Sequence, residues 1–472
     1  MGRGPARRTA ERPTGGRRPP WTATSYADRG GFLVASPPVA FPGLPRIDLR
    51  TPSAQAAARF DGLVRRSAGL SGQAHAAAAT IVEDVRTRGD AAVIEATERF
   101  EGRRLSPETL RLAPEEADRL ADEVPADVQA ALAFAAERIR AFHAAQPVSG
   151  AVVETADGRL ESRVRPLARV AVYAPGGTAA YPSSVLMCAI PAAVAGVDEI
   201  VLLTPRPDPV VLAAAKLAGV GEVLRIGGAQ GVAAVAFGTE TIRRVDKIVG
   251  PGNAYVTAAK RLVYGHVDVD GIAGPSEIVV VAAEDAAPAC VAADLLAQAE
   301  HDREASAVCV TWSEALADAV DAAVAKALDA LPRRDIAAAA LRDHGACILV
   351  RDLDHAVETA RALAPEHLEL LVPDAREVAA RIDTAGAIFV GPHTPEAAGD
   401  YTAGPSHVLP TAGAARFGSP LGVYDFVKYT SVLELTAEGL ARQAPHIVAL
   451  ARTEGLEGHA RSVLVRGHGG TT

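Results

Sequence analysis

Short apolar segments recur through the middle of the chain, and each ends in a glycine or proline turn or leads into a helical stretch. Nine of them lie at residues 170–175, 199–205, 222–228, 247–252, 277–283, 306–312, 346–350, 368–372 and 387–391. Strands that alternate with helices predict βα repetition and a mostly parallel, buried sheet. Ligands of such folds bind beyond the carboxyl ends of the strands. We therefore predict an α/β protein with its ligand sites at that edge.

The segments on either side of this region have a helical pattern. Between about residues 53 and 142, apolar residues recur at helical spacing, most clearly in 76–88 and 125–142. From about residue 424 to the end, the chain is predicted to be helical and rather polar, with few residues for a core of its own. We expect this tail to dock on the main body or on a second subunit.

The composition is that of an ordinary globular protein with an acidic balance, since 49% of residues are hydrophobic, 22% are charged and the net charge is −9. A dedicated nucleic-acid-binding protein usually carries a basic domain, so that class is disfavoured. No charge-free apolar stretch reaches the roughly 18 residues of a membrane span. The four cysteines have apolar neighbours, which is typical of reduced thiols in a core, and we expect a cytoplasmic location.

The first 45 residues differ from the rest because they are rich in arginine, proline and glycine and lack an apolar period. No apolar core follows the arginines, so a secretory signal is disfavoured, while an organelle transit peptide remains open. We predict that 1–46 is a disordered extension or a start assigned too far upstream.

Glycines recur near the ends of the predicted strands, at 176–177, 227–228, 250–252 and 274. Glycine lets backbone N–H groups approach an anion such as a phosphate, although tight βα turns use it as well. The GxGxxG fingerprint of nicotinamide-binding domains does not open any of these βα units. A phosphate-bearing ligand is thus only moderately favoured by the pattern alone.

Two segments in the second half combine side chains that suit a metal or proton transfer. In the predicted helix 292–301, Asp294, Gln298 and His301 share one face, although a polar helix end would have the same pattern. In APEHLEL (364–370), Glu366 and His367 are adjacent at the start of a strand and offer two proton-transfer groups. The alternative for this pair is a loop histidine with a solvated carboxylate.

Two later segments add further candidates. The loop 397–411 contains Asp400, a suitable zinc ligand, and His407, although aspartate and glycine are also ordinary turn residues. In the tail, Glu454 and His459 are five residues apart, about 140° around a regular helix. If both serve one site, the helix breaks near Gly458 or the site extends around the tail. A solvated polar helix is the alternative.

Taken together, these segments resemble the histidinol dehydrogenase family from about residue 48 to 466. The resemblance rests on eight ordered motifs: VYAPGGTAAYPSSVLM (172–187), GGAQGVAAVAFGT (227–239), DKIVGPGNAYVTAAKRLV (246–263), AGPSEIVVVA (273–282), DLLAQAEHD (294–302), APEHLE (364–369), AGDYTAGPSHVLPT (398–411) and EGLEGHA (454–460). So many motifs in order are far more specific than any one of them.

The resemblance implies a zinc-dependent enzyme that oxidises L-histidinol to L-histidine with two NAD+. It assigns one Zn²⁺ per subunit to Gln298, His301, Asp400 and His459, with His459 supplied by the second subunit of a homodimer that shares its active sites. Glu366 and His367 match the catalytic pair. The substrate-binding positions would be Ser276, His407 and Glu454 together with His367 and the zinc ligands, and the NAD+ contacts would be Tyr173, Gln230 and Asn253.

The implied fold has two incomplete Rossmann-like parallel-sheet domains and a small helical C-terminal tail. We predict a main domain from 47–172 and 277–415, an NAD-binding domain from 173–276 and a tail at 416–472 that reaches the partner subunit. A relative that oxidises another small polar alcohol is the second reading, and a non-catalytic metal-dependent scaffold the third. The Glu366–His367 pair weighs against a scaffold, which needs no proton acceptors beside a metal.

Overall fold

The computed structural model describes residues 41–66, 72–176 and 180–467. Residues 1–40 of the predicted N-terminal extension, Gly177 and the last five residues lie outside this part of the chain. Residues 41–46, which that prediction included, pack against the first sheet, where Leu44 is buried and Arg46 is the first residue of a strand. The elements of the N-terminal third are β1 (Arg46–Asp48), α1 (Ala54–Val64), α2 (Gly72–Arg88), α3 (Asp90–Glu101), α4 (Pro114–Asp122), α5 (Ala126–Ala144), β2 (Ala151–Thr155) and β3 (Gly158–Pro166).

A run of alternating strands and helices follows. Its first half contains β4 (Arg169–Tyr173), α6 (Pro182–Ala195), β5 (Glu199–Leu203), α7 (Pro209–Ala218), β6 (Glu222–Leu224), α8 (Gly228–Phe237), β7 (Lys247–Val249), α9 (Ala254–Val263) and β8 (Asp268–Val269). Its second half contains β9 (Glu277–Ala282), α10 (Pro288–Ala299), β10 (Ser306–Thr311), α11 (Glu314–Leu328), α12 (Arg334–His344), β11 (Ala346–Leu349), α13 (Leu353–Leu363), β12 (His367–Leu371), α14 (Ala375–Ala379), β13 (Ala387–Val390) and α15 (Glu396–Tyr401). The chain continues with β14 (Val427–Leu435), α16 (Ala437–Thr453) and α17 (Glu457–Gly467).

The strands form three sheets. The first has the order β1-β11-β10-β9-β12-β13 and the second β6-β5-β4-β7-β8, and neighbouring strands in both are parallel. The third, β14-β3-β2, is antiparallel. All nine predicted apolar segments are strands of the two parallel sheets, which confirms the α/β fold class. Each parallel sheet has an apolar core on both faces, because helices cover it from both sides.

The N-terminal helices pack mainly against the second sheet. Buried residues of α2 and α3 belong to the core on one of its faces, and those of α4 and α5 to the core on the other. β1 and α1, by contrast, pack against the first sheet. Residues 47–172 are thus divided among the three sheets, since β2 and β3 belong to the third, whereas the sequence placed all of them with the first. β4 also places the start of the second sheet four residues before the predicted boundary at 173. The division into domains stays a prediction.

The C-terminal region is helical from Ala437 onward, as predicted, but the segment before it is not. Val427–Leu435 is a nine-residue strand that pairs with β3 along its whole length. Its β-branched and aromatic residues favour a strand, and the partner that completes the ladder lies far away in sequence.

Three of the four cysteines are buried, whereas Cys290 is exposed and does not fit the prediction of a core thiol. Among the described residues, no helix is both long and apolar enough to cross a membrane.

Candidate active site

The Glu366–His367 pair stands at the beginning of β12, held by the backbone of the neighbouring strand. Ala364 ends α13 in the left-handed region (φ 47°), and Pro365 then leads the chain into the strand. The N–H of Glu277 donates to Glu366 Oε2 at 2.9 Å, and His367 Nδ1 lies 3.1 Å from the carbonyl oxygen of Glu277. A carbonyl oxygen only accepts, so Nδ1 carries the proton and Nε2 keeps its lone pair.

Burial sets the protonation of both members of the pair. It raises the pKa of the Glu366 carboxyl well above its usual range, and it lowers the pKa of His367 to about 4 against the opposing charge of Asp400. The imidazole is therefore neutral near pH 7. A neutral imidazole with a free Nε2 is able to accept a proton from a bound alcohol.

Side chains that suit a metal ion gather beside this pair. One ligand atom each from His301, Glu396 and Asp400 lie within 4.8 Å of one another. His301 Nε2 is 3.9 Å from Asp400 Oδ2, and His367 Nε2 is 3.9 Å from Glu396 Oε1. An imidazole nitrogen with carboxylate oxygens is a donor set that zinc accepts.

The end of α10 supplies the predicted glutamine. Gln298 is 0% exposed, and among the described residues neither amide atom of its side chain has a hydrogen-bond partner. Leaving a buried amide unpaired costs about 1–3 kcal/mol, which a bound cation at Oε1 would offset. The helix ends at Ala299, so His301 lies in the turn that follows rather than on the predicted helical face. Asp294 interacts instead with the carboxyl group of Glu369.

His407 joins this cluster to the helix that follows β4. Its Nδ1 lies 3.0 Å from the carbonyl oxygen of Asp400, and its Nε2 lies 3.2 Å from Ser184 Oγ on α6. The neighbouring Ser406 hydroxyl donates to the carbonyl oxygen of Met187, also on α6, at 3.2 Å. These contacts place the candidate site where the 402–411 loop meets the carboxyl-terminal side of the second sheet.

Glu396 is a site residue that the sequence reasoning missed. Its side chain is 1% exposed, and its Oε1 has no hydrogen-bond partner within the described ranges. Burial, together with the charges of Asp400 and Asp294, raises its pKa to about 8. The usable signal was its position four residues before Asp400, because that spacing puts both carboxylates on one face of the short helix α15.

We predicted ligand sites at the carboxyl ends of the strands, and for the residues around the first sheet this is wrong. Glu366 and His367 lie at the amino end of β12, level with Glu277 at the amino end of β9. The helix α10 connects two parallel strands and must return the chain, so its C-terminal turn reaches the same edge. Strand beginnings supply the side chains around Glu366 and His367, and a helix end supplies Gln298 and His301.

The second sheet has a strand order for which the same rule predicts a ligand site. β5 and β6 lie on one side of β4, and β7 and β8 lie on the other, so the strand order reverses between β4 and β7. A ligand crevice is expected outside the carboxyl ends at such a switch point. Tyr173 is the last residue of β4, and Asn253 follows β7 across the crevice.

Hydrogen bonds hold the side chains of the three predicted NAD+ contacts. The Tyr173 hydroxyl accepts the N–H of Gly228 at 3.0 Å, and burial raises the pKa of that hydroxyl to about 12. Gln230 Nε2 donates to Glu101 Oε1 at 3.2 Å. Asn253 is exposed, and its Oδ1 accepts two backbone N–H groups at the start of α9. Sequence reasoning gave Glu101 no role, because it lies on a helix far upstream.

Comparisons with known proteins identify the family of this chain. A family model described as histidinol dehydrogenase matches residues 64–467. The chain belongs to the histidinol dehydrogenase family. The histidinol dehydrogenase of Gluconobacter oxydans is 54% identical over 391 residues, which cover 82% of this chain and 91% of the relative. That of Ruegeria pomeroyi is 51% identical over 425 residues, which cover 89% and 98%.

A solved structure extends the likeness to three dimensions. The crystal structure of histidinol dehydrogenase from Elizabethkingia anophelis superposes with a TM-score of 0.82 at 34% identity. The match covers 90% of this chain and 98% of that one. The family inferred from the eight motifs is therefore confirmed, and so is the fold class.

Three positions that match the histidinol dehydrogenase pattern remain. Ser276 directly precedes Glu277 at the edge described above, and its carbonyl oxygen accepts the N–H of Ser306 at 3.0 Å. Glu454 and His459 are both exposed at the C-terminal end of the chain. The helix breaks between Thr453 and Glu457, and Gly458 lies inside α17.

Proposed function

We propose that this chain oxidises L-histidinol through L-histidinal to L-histidine and uses two molecules of NAD+ in turn. The observation that carries the proposal is the free Nε2 of His367, a neutral base held beside the group formed by His301, Glu396 and Asp400. Alcohol oxidation requires a base for the hydroxyl proton and groups that fix the reacting carbon. The family membership names the alcohol.

We propose Gln298, His301 and Asp400 as zinc ligands, with His459 of the partner subunit as the fourth. The unpaired Gln298 amide and the adjoining imidazole and carboxylate fit such an ion. Zinc, when bound, supplies a Lewis acid that orients the imidazole and amino nitrogens of the substrate. Ser276, His407 and Glu454 are the proposed additional substrate contacts.

His367 acts in alcohol oxidation. Its Nδ1–H is engaged by the Glu277 carbonyl, which fixes the ring and directs Nε2 toward the site. Nε2 takes the hydroxyl proton, while the carbon-bound hydrogen leaves as hydride to NAD+. Replacing His367 with asparagine should therefore lower kcat for alcohol oxidation by a larger factor than it raises KM for histidinol.

Glu366 acts on the aldehyde. Its burial makes it a stronger base than an exposed carboxylate, because a raised pKa increases proton affinity. It takes a proton from the water that adds to the aldehyde and returns it to the aldehyde oxygen, which gives the hydrated aldehyde. The hydrated aldehyde then transfers a hydride to the second NAD+ and a hydroxyl proton to His367. Glu366→Gln should spare alcohol oxidation relative to aldehyde hydration, and equal losses in both steps would contradict this division.

We propose that NAD+ binds in the crevice between β4 and β7, with Tyr173, Gln230 and Asn253 as contacts. The switch point and the glycine turns support a dinucleotide site even without the GxGxxG fingerprint. Because His407 touches α6, which starts after β4, the alcohol and cofactor sites adjoin. Direct hydride transfer requires the alcohol carbon and the nicotinamide ring to lie next to each other in this way.

We further propose a homodimer in which each tail completes the other subunit's site. Glu454 and His459 are exposed, although the family pattern assigns them to an active site. The third sheet and the C-terminal helices also present large apolar side chains to solvent: Val152, Val153, Tyr429, Leu433, Leu450 and Val465. An exposed apolar surface of this kind favours association with a second subunit.

We propose the cytoplasm as the location. Cys188, Cys309 and Cys347 are free thiols buried in the cores. Free thiols are typical of a reducing compartment, where disulfides rarely persist.

The first test is the yield of NADH per L-histidinol, measured by absorbance with and without a chelator. The proposal predicts about two NADH per alcohol, as two hydride transfers require. The activity should be lost on chelation and restored by Zn²⁺. Absence of NADH from folded, zinc-loaded protein would contradict the proposal and direct a screen toward other small polar alcohols.

A second test addresses the shared site. Subunit exchange between His367→Asn and His459→Asn chains produces heterodimers in which one of the two sites is free of both substitutions. A random one-to-one mixture should regain about a quarter of wild-type activity, because half of its dimers are mixed and each has one intact site. A mixture that stays inactive, although exchange is verified by mass spectrometry, would place both residues in the same chain's site.

A further inference from the structure

Glu101 lies beside the proposed cofactor crevice, although the helix that carries it, α3, precedes the second sheet. It is the last residue of that helix. Its Oε1 accepts a hydrogen bond from Gln230 Nε2 at 3.2 Å, and its Oε2 is engaged by the guanidinium group of Arg103. Arg103 also donates to the carbonyl oxygen of Arg225 at 2.8 Å, just before the turn that starts α8. The carboxylate is thus fixed from two sides.

This contact determines which way the Gln230 amide points. A carboxylate only accepts hydrogen bonds, so the NH2 group of Gln230 must face Glu101 and its carbonyl must face away. The carbonyl lies against the glycine turn, since a Cβ placed on Gly228 would be 2.5 Å from Gln230 Oε1. The N–H of Gly228 is engaged by the Tyr173 hydroxyl, so these residues form one connected network.

We propose that Glu101 is a positioning residue for cofactor binding, which orients the Gln230 amide so that its carbonyl oxygen accepts a hydrogen bond from the dinucleotide. The proposal rests on the proposed NAD+ site. The charge of Glu101 also acts on Tyr173, because it raises the pKa of that hydroxyl further than burial alone does. Glu101 acts through Gln230 and needs no contact with the cofactor.

The direct test is Glu101→Gln, which keeps the size of the side chain but removes the charge and lets either end of the Gln230 amide face it. Calorimetric titration with NADH in the absence of histidinol should show affinity about tenfold weaker, equivalent to about 1.4 kcal/mol. In the steady state, KM for NAD+ should rise while kcat and KM for histidinol stay within about twofold. Glu98→Gln is the matched control, since its carboxylate lies on the same helix in an exposed pair with Arg104.

A double-mutant cycle separates positioning from a general structural role. In the Gln230→Ala background, Glu101→Gln should have no further effect on NADH affinity, because the amide on which it acts is gone. Equal losses in both backgrounds, or wild-type affinity of the single variant, would overturn the proposal. Thermal unfolding of each variant identifies any loss that comes from destabilisation alone, which would also count against positioning.

The outcomes distinguish this proposal from the cofactor site on which it rests. If Gln230→Ala binds NADH as well as the wild type, the proposed site itself is wrong. If Gln230→Ala weakens binding and Glu101→Gln does not, only the role of Glu101 is wrong. Titration with ADP-ribose locates the bonded group, since an equal loss assigns it to the ADP-ribose part (a ribose hydroxyl or the adenine amino group) and a loss confined to NADH assigns the nicotinamide amide.

Discussion

Gly250→Ala tests how closely two strands approach at the proposed cofactor crevice. Gly250 follows β7 with φ +109°, a conformation that L side chains rarely adopt. A Cβ added there would lie 2.4 Å from the carbonyl oxygen of Tyr173 at the end of β4. The turn has little freedom to move away, because Asp270 Oδ2 accepts the Gly250 N–H at 2.6 Å and Lys260 donates to its carbonyl oxygen at 2.5 Å.

The size of the effect follows from these distances. An ordinary Cβ contact begins near 3.4 Å, so the two backbones would have to separate by about 1 Å. Holding alanine at a positive φ destabilises the fold by about 1–3 kcal/mol. The steric overlap of the added Cβ with close-packed backbone destabilises it by a similar amount. We expect Gly250→Ala to lower the free energy of unfolding by about 3 kcal/mol. A displacement of about 1 Å at an aligned site can reduce activity by about a hundredfold. We expect the same displacement at this turn to lower NADH affinity at least about tenfold.

Urea denaturation and calorimetric titration with NADH measure the two effects, and Gly221→Ala is the control. Gly221 precedes β6, and a Cβ there would meet nothing within 4 Å, so its stability should change by less than about 0.5 kcal/mol. If Gly250→Ala and Gly221→Ala behave alike in both assays, the close approach of β4 and β7 does not shape the crevice. Loss of stability with unchanged NADH affinity would refute the placement of the cofactor at this turn.

Three other substitutions address the charged and polar groups described above. Arg169→Met removes one of the two arginines that pair with the largely buried Glu222, while Arg111 stays paired with it at 2.6 Å, so chemical denaturation should show a loss of about 2 kcal/mol, against less than about 1 kcal/mol for the exposed Arg243→Met. Gln298→Ala should lower zinc affinity at least about tenfold by metal analysis under chelator competition, yet leave the metal-free protein no less stable, since the amide has no described protein partner to lose. Asp270→Asn should weaken NADH binding more than it affects KM for histidinol, because this carboxylate holds the turn after β7 through a backbone N–H and a buried lysine. Unchanged denaturation midpoints, zinc content or NADH affinity, respectively, would contradict these expectations.

The parallel sheets were predictable because their strands are buried on both faces and appear in the sequence as apolar runs bounded by glycine and proline. The third sheet was not. β2, β3 and β14 are largely exposed and contain charged residues, so neither apolar runs nor clear alternation distinguishes them. Val427–Leu435 is a strand because it pairs with β3, which lies more than two hundred residues earlier in the chain. Its local sequence pattern does not predict this pairing.

The candidate site was predictable to the extent that its chemistry lies in short segments. Glu366 and His367 are adjacent in sequence, so their pairing needed no tertiary information. The approach of His301 to Asp400 depends on how α10 and α15 pack, which no local pattern encodes. The edge of the sheet was predicted wrongly because the rule for strand ends does not describe side chains brought by a returning helix.

The amino-terminal edge of the first sheet meets the carboxyl-terminal side of the second through His407 and Ser184. Under the proposed assignments, the groups that bind the substrate belong mainly to the first sheet and its helices. The groups that bind the dinucleotide belong to the second sheet and its helices. A spent dinucleotide can then depart and a fresh one arrive without disturbing the side chains that grip the reactive aldehyde. Two successive oxidations of a single carbon require such an exchange of the dinucleotide without release of the aldehyde.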